Sequence, residues 1–134
     1  MQDSDALDLF STHLRLRPDI SIEALPVDDT FWQRLGAGQL GDFHHEYLVT
    51  CHEFTTDWPM WVMHSAGDEV VCLLSGAVEF ILEFPEGNRH VQLHGVGSFV
   101  LVPKGTWHTA RTGVESRLLF ITAGEGTMHR QAER

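Results

Sequence analysis

The residues able to do chemistry fall in two short stretches. The first is His64-Ser65-Ala66-Gly67-Asp68-Glu69, with Gly76 beyond it. The second is Gly97-Ser98-Phe99-Val100-Leu101-Val102-Pro103-Lys104-Gly105-Thr106-Trp107-His108. Imidazole and carboxylate groups bind divalent metals, and histidine is the commonest metal ligand. Nine histidines in 134 residues is a high number, so each position has to be weighed by itself. Cysteine offers less. Cys51 and Cys72 are the only two, and both sit inside apolar runs. They read as buried reduced thiols rather than as a disulfide.

The elements that must position these residues are strands. From Phe43 onward, short apolar runs alternate with turn residues. The expected strands are Glu46–Phe54, Trp61–His64, Glu69–Leu74, Ala77–Phe84, His90–Leu93, Ser98–Val102, Trp107–Thr112 and Ser116–Thr122. Many short strands at regular spacing argue for a sandwich or a barrel. No long helical pattern lies between them, which argues against a βαβ layout. Val78, Phe80 and Leu82 share one face of their strand, while Glu79 and Glu83 share the other. That alternation marks a half-buried antiparallel strand with its glutamates towards solvent.

The N-terminal part reads differently. Ala6, Leu7, Leu9, Phe10 and Leu14 are close to helical spacing over Asp5–Leu16. Ser4 or Asp3 would cap this helix and Arg17-Pro18 would end it. A further helical turn is expected at Phe31–Leu35, after Asp28-Asp29-Thr30. The expected organisation is an arm over residues 1–42, a barrel over 43–126 and a tail over 127–134. The arm would cover the outside of the barrel or contact a second subunit. Gly124–Arg130 reads as a loop near a barrel mouth, and Gln131–Arg134 as a frayed end.

Bulk properties narrow the class. The length suits one domain with one core. The formal charge is −10, which disfavours nucleic acid and anionic membrane surfaces as partners. The acidic start Met1–Asp5 is unlike a secretory signal, and Val70–Leu74 and Phe99–Pro103 are too short to span a bilayer. A cytoplasmic protein is the default expectation.

Together the two stretches resemble the paired motifs of the cupins. The first cupin motif reads HxH, three or four residues, E, six residues, G. The second reads G, five residues, PxG, two residues, H, three residues, N. His64, Glu69 and Gly76 fit the first, and Gly97, Pro103, Gly105 and His108 fit the second without a gap. The match spans about half the chain. Val62 stands where the first histidine of HxH belongs, and Thr112 stands at the terminal asparagine. The resemblance implies a small single-domain cupin of the cupin-2 type: an all-β, double-stranded β-helix (jelly-roll barrel), here with a short, partly helical arm.

It also implies a metal site at His64, Glu69 and His108. A hairpin across Ser65–Asp68 would aim His64 and Glu69 at one point, and the Pro-x-Gly turn would bring His108 to the same interior. Two histidines and a carboxylate form the facial set used by non-haem Fe(II), and Mn, Ni or Zn suit the same ligands. Val62 shares a face with His64, so an apolar side chain would point at the cavity where a ligand usually sits. Strand parity adds Val71 and Leu73 to the interior face, with Val78 and Phe80 beside them, as an apolar pocket lining. Trp61, Met63 and Trp107 should turn away from it. His52 and His94 are replacement ligands to consider, though both read better as surface residues. His13, His44, His45, His90 and His129 read as surface or loop residues.

Two functions stay open on this reading. One is a metal-dependent enzyme of dioxygenase or isomerase type acting on a small organic molecule. The other is a non-catalytic cupin that binds or senses a small ligand without metal. A homodimer is expected, because the barrel has sheet edges to cover and the arm carries Leu9, Phe10, Phe31 and Trp32.

Overall fold

The structure is a computed structural model that describes residues 6–132. The acidic start Met1–Asp5, the Ser4 or Asp3 cap and the last two residues of the expected tail lie outside the described residues. In chain order the elements are β1 (Thr12–Leu16), β2 (Ile22–Pro26), α1 (Phe31–Gly36), β3 (Tyr47–Phe54), β4 (Met60–His64) and β5 (Glu69–Ser75). They continue as β6 (Val78–Phe84), β7 (Gly87–Leu93), β8 (Phe99–Val102), β9 (His108–Arg111), β10 (Ser116–Ala123) and β11 (Thr127–Gln131).

These strands form two antiparallel sheets. One has the order β2-β1-β3-β10-β5-β8 and the other β11-β4-β9-β6-β7. From β3 to β6 each strand passes to the opposite sheet, and the same exchange returns from β7 to β11. That is jelly-roll winding, and it places every β4–β5 or β8–β9 connection at an end of the barrel. Among the described residues, no helix is long and apolar enough to cross a membrane.

The core follows from strand parity. Val78, Phe80 and Leu82 on β6 are 0–3% exposed and meet Val71, Leu73, Val100, Val102, Leu118 and Phe120 from the facing sheet. Burying each such side chain contributes roughly 1.5–3 kcal/mol before chain entropy is set against it. On the other face of β6, Glu79 accepts a hydrogen bond from Gln92, and Glu83 pairs with Arg130. Between β5 and β6 the chain turns at Gly76, whose φ is +87°. A Cβ there would lie 2.3 Å from Ser116 Oγ and 2.4 Å from the Glu115 carbonyl oxygen, so the turn requires glycine.

Two expectations about the ends are corrected. Within the expected helix Asp5–Leu16, the described residues 6–16 are not helical; the last five are β1, hydrogen-bonded to β2 and β3. The apolar spacing misleads because the two buried residues of β1 are polar, His13 and Arg15. Arg15 Nε donates to Glu46 Oε1 at 2.6 Å, and its guanidinium lies 4.2 Å over the Phe43 ring. The arm is therefore part of the six-stranded sheet rather than a cover laid outside it. Its helix α1 packs Phe31 into a second cluster with Leu25, Phe43 and Leu48. At the other end, Thr127–Gln131 is not a loop and tail but strand β11, paired with β4 from Thr127↔His64 to Gln131↔Met60. Its cohesion comes from cross-strand partners, which a short polar run does not advertise.

Candidate metal centre

His64 is the last residue of β4, Glu69 the first of β5 and His108 the first of β9. The turn between His64 and Glu69 is stitched to the Pro103-Lys104-Gly105 turn. The Gly105 amide donates to the His64 carbonyl at 2.9 Å, and the Lys104 amide donates to Asp68 Oδ1 at 2.8 Å. Gly105 sits at φ +78°, where a side chain would be strained. Two loops that each cross between the sheets thus deliver three strand-end side chains to one place. Nitrogen and oxygen atoms of His64, Glu69 and His108 lie within 4.8 Å of one another, and all three residues are buried.

Each side chain is oriented from behind. His108 Nδ1 lies 3.0 Å from the Thr106 carbonyl oxygen, which can only accept, so Nδ1 carries a proton and Nε2 is the nitrogen turned towards Glu69. Its ring stacks on Phe80 at 5.6 Å. His64 Nδ1 lies 2.9 Å from Thr127 Oγ1, which leaves Nε2 facing Glu69 Oε2 at 3.4 Å. Thr122 Oγ1 donates to Glu69 Oε2 at 2.7 Å. Such bonds to the far side of each ligand are how protein metal sites fix ring orientation and tautomer.

One contact then stands out. His108 Nε2 and Glu69 Oε1 approach to 3.1 Å, yet buried Oε1 has no aligned hydrogen bond among the described residues. A divalent cation held between them would engage the histidine nitrogen and the carboxylate oxygen at once. Burial pushes the Glu69 carboxyl up, but the adjoining His108 and His64 rings outweigh it and hold it at about 2. The carboxylate is thus ionised at neutral pH. Two imidazoles and one carboxylate, buried and convergent, fit a divalent transition metal with open coordination positions.

These residues border a cavity of about 810 Å³. Its walls come from several elements: Trp32 and Leu35 of α1, the β3 row Leu48, Thr50, His52 and Phe54, then Trp58, Phe120 and Thr122. No Lys or Arg is found among the described residues that line it. Of the residues expected in the pocket, Val62 lines it and sits opposite His108 in the β4–β9 pair. Val71, Leu73, Val78 and Phe80 do not border it; they belong to the packed core. Trp61 and Trp107 turn away as expected and flank the Arg130 guanidinium.

Several histidines are not where the sequence suggests. His13 is 1% exposed, and His52 and His129 both line the cavity. His129 reaches it because it pairs with Val62, so His108, Val62 and His129 stand in one row across three strands. Parity along Glu46–Phe54 carried a signal for His52, which shares a face with Thr50 and Phe54. His129 carried none once its segment read as a loop. Trp32 and Trp58 were equally hidden, because neither lies in a strand. His44, His45, His90 and His94 are exposed, as expected.

Architecture and site together define a class: the protein has the cupin fold. Solved structures agree. Oxalate oxidase matches 61% of this chain and 45% of its own at 10% identity, with a TM-score of 0.53. Hydroquinone 1,2-dioxygenase from Sphingomonas sp. TTNP3, solved with 4-hydroxybenzoate bound, matches 64% of this chain and 60% of its own at 17% identity, TM-score 0.50. A cupin-2 domain containing protein from Shewanella frigidimarina shares 22% identity over 57% of this chain and 70% of its own, TM-score 0.47. The chain thus spans less than two thirds of the length of the two enzymes, and at these identities the likeness concerns fold alone. No family model and no curated protein matches the sequence.

Proposed function

We propose that the protein binds a divalent transition metal through His64 Nε2, Glu69 Oε1 and His108 Nε2 and uses it on a small organic molecule in the adjoining cavity. The observation that carries this reading is the 3.1 Å approach of His108 Nε2 to the otherwise unpartnered Glu69 Oε1. Three convergent side chains held from behind by Thr106, Thr127 and Thr122 are what a ligand set requires. Bound there, the metal would supply Lewis acidity or an oxygen-activating centre. Fe, Mn, Ni and Zn all suit the ligands. The chain's own part is plain. Glu69 would contribute the negative charge and the two histidines neutral nitrogen donors, while the largely apolar walls would hold the organic molecule. Val62 leaves the side facing β11 free of a protein ligand.

The test is metal analysis of protein purified without added metal, followed by titration with Co(II), whose absorption bands report coordination. About one equivalent of metal is expected, with Glu69→Gln abolishing it. Protein that neither carries nor takes up metal would favour the second reading, a barrel that binds a small ligand without chemistry. That reading draws on the cavity itself, whose size and apolar walls suit a small molecule with or without a metal. Dimerisation and a cytoplasmic location complete the proposal. The edge strand β8 supports the former, since Phe99 and Leu101 are 58% and 61% exposed on it.

A further inference from the structure

The cavity has a second end, away from the metal ligands, and its chemistry is unlike theirs. In the six-stranded sheet, His52, Leu118 and Leu73 are level in register. Leu73 lies four residues beyond Glu69 on β5, which puts His52 about 13 Å along the strands from the ligand level. His52 faces the cavity among rings, with centroids 5.5 Å from Trp32 and 5.7 Å from Phe120. Its ring nitrogens make no hydrogen bond to the described residues. Behind it His13 is packed edge-on at 5.5 Å, its Nδ1 buried and unpartnered. Between the two ends lies Trp58, 6.0 Å from Phe120 and 6.4 Å from His108.

Charge decides what this shape accepts. The only ionisable side chains among the described lining residues are Asp57, Glu69 and the four histidines His52, His64, His108 and His129. Asp57 already accepts from the Thr112 amide. An anion would find no Lys or Arg to pair with. An organic cation would find Glu69 committed to the metal and no open aromatic box, because Phe54, Trp58 and Phe120 pack on one another at 5.3–6.3 Å. A volume of about 810 Å³ lies in the upper range of small-molecule pockets and has room for more than one ring.

We infer that the site takes an uncharged, ring-containing molecule with a polar group at each end. One oxygen would point to His64, Glu69 and His108, the flat apolar body would lie along Trp32 and Trp58, and a hydroxyl would donate to His52. The oxygen end rests on the metal-centre reading; the apolar body and the His52 end do not. His52 and Trp32 are then specificity residues, and the arm that supplies Trp32 is part of the binding site.

Four probes of one size test this: 2-naphthol, 2,6-dihydroxynaphthalene, 2-naphthoate and 2-naphthylmethylammonium, followed at pH 7 by quenching of tryptophan fluorescence. Metal-free and Zn(II)-loaded protein are compared, with Zn content measured separately. The two naphthols are expected to bind metal-free protein at least tenfold more tightly than the anion, and Zn-loaded protein at least tenfold more tightly than the cation. The second hydroxyl should add about fivefold in wild type and nothing in His52→Phe, while Trp32→Ala should weaken both naphthols. Equal or tighter binding of the anion to metal-free protein, or of the cation to Zn-loaded protein, would overturn the inference, and so would Zn-loaded protein that binds no naphthol. Naphthol binding by protein that takes up no Zn would instead defeat the metal reading and leave the apolar body and His52 end standing.

Discussion

At the scale of single residues, His64 and His108 meet Glu69, whose Oε1 is buried with no aligned hydrogen bond among the described residues. Glu69→Gln should remove the charge that holds a divalent ion, with metal content falling below a tenth of an equivalent. Thr122→Val should do less. It deletes the 2.7 Å bond to Glu69 Oε2 but keeps the ligand, so metal affinity should drop about tenfold, read by competition with a chelator. Val62→His is the converse change. The side chain lines the cavity opposite His108, so an added imidazole should tighten metal binding and lower any metal-dependent turnover by closing an open position. A destabilised Val62→His protein with no gain in metal affinity would count against the metal centre. His13 makes a separate statement about pH. Burial, aided by the neighbouring His52, lowers it from 6.5 to about 4. The unfolded chain therefore binds more protons than the fold between these values. The stability held by neutral His13 is complete above pH 6.5 and is lost as pH falls towards 4. Melting temperatures across that window should slope downward with acid, and His13→Phe should flatten the slope.

At the scale of elements, the site depends on turns more than on strands. Gly76 has no room for a Cβ and sits at positive φ, so Gly76→Ala should cost roughly 2–4 kcal/mol in chemical denaturation. Thr112 works beside it. Its hydroxyl lies 2.8 Å from the Ala77 carbonyl and 3.1 Å from Ser116 Oγ, a role the sequence left unassigned. The resemblance to the paired cupin motifs named the three convergent side chains before any coordinates, and the glycines of those motifs mark the turns that few other residues adopt. The β1 strand shows where such reading stops. Its buried face carries His13 and Arg15, and Arg15 is satisfied by Glu46 from 31 residues away. Hydrophobic periodicity cannot report a face whose buried members are polar. β11 failed for a related reason, since its partners on β4 lie more than 60 residues earlier.

At the scale of the whole molecule, the two sheets explain which pocket residues were misplaced. Parity correctly sent Val71, Leu73, Val78 and Phe80 inward, but inward covers both a packed half and a hollow half of the barrel. The division depends on how side chains from the two sheets interdigitate, which one strand's pattern does not contain. Trp32 and Leu35 of α1 form part of the wall of the hollow half, so the arm shapes the site. The sheet edge at β8 gives the assembly prediction: light scattering should report a dimer, and replacing Phe99 and Leu101 with lysine should yield monomer without lowering metal content. Whether His64, Glu69 and His108 form a metal centre is decided by Zn(II) titration calorimetry on metal-free wild type beside His108→Ala. One site of micromolar or tighter affinity in the wild type, lost in the variant, is the expected result. Wild-type protein that binds no zinc, or a variant that binds it equally well, would contradict the metal centre.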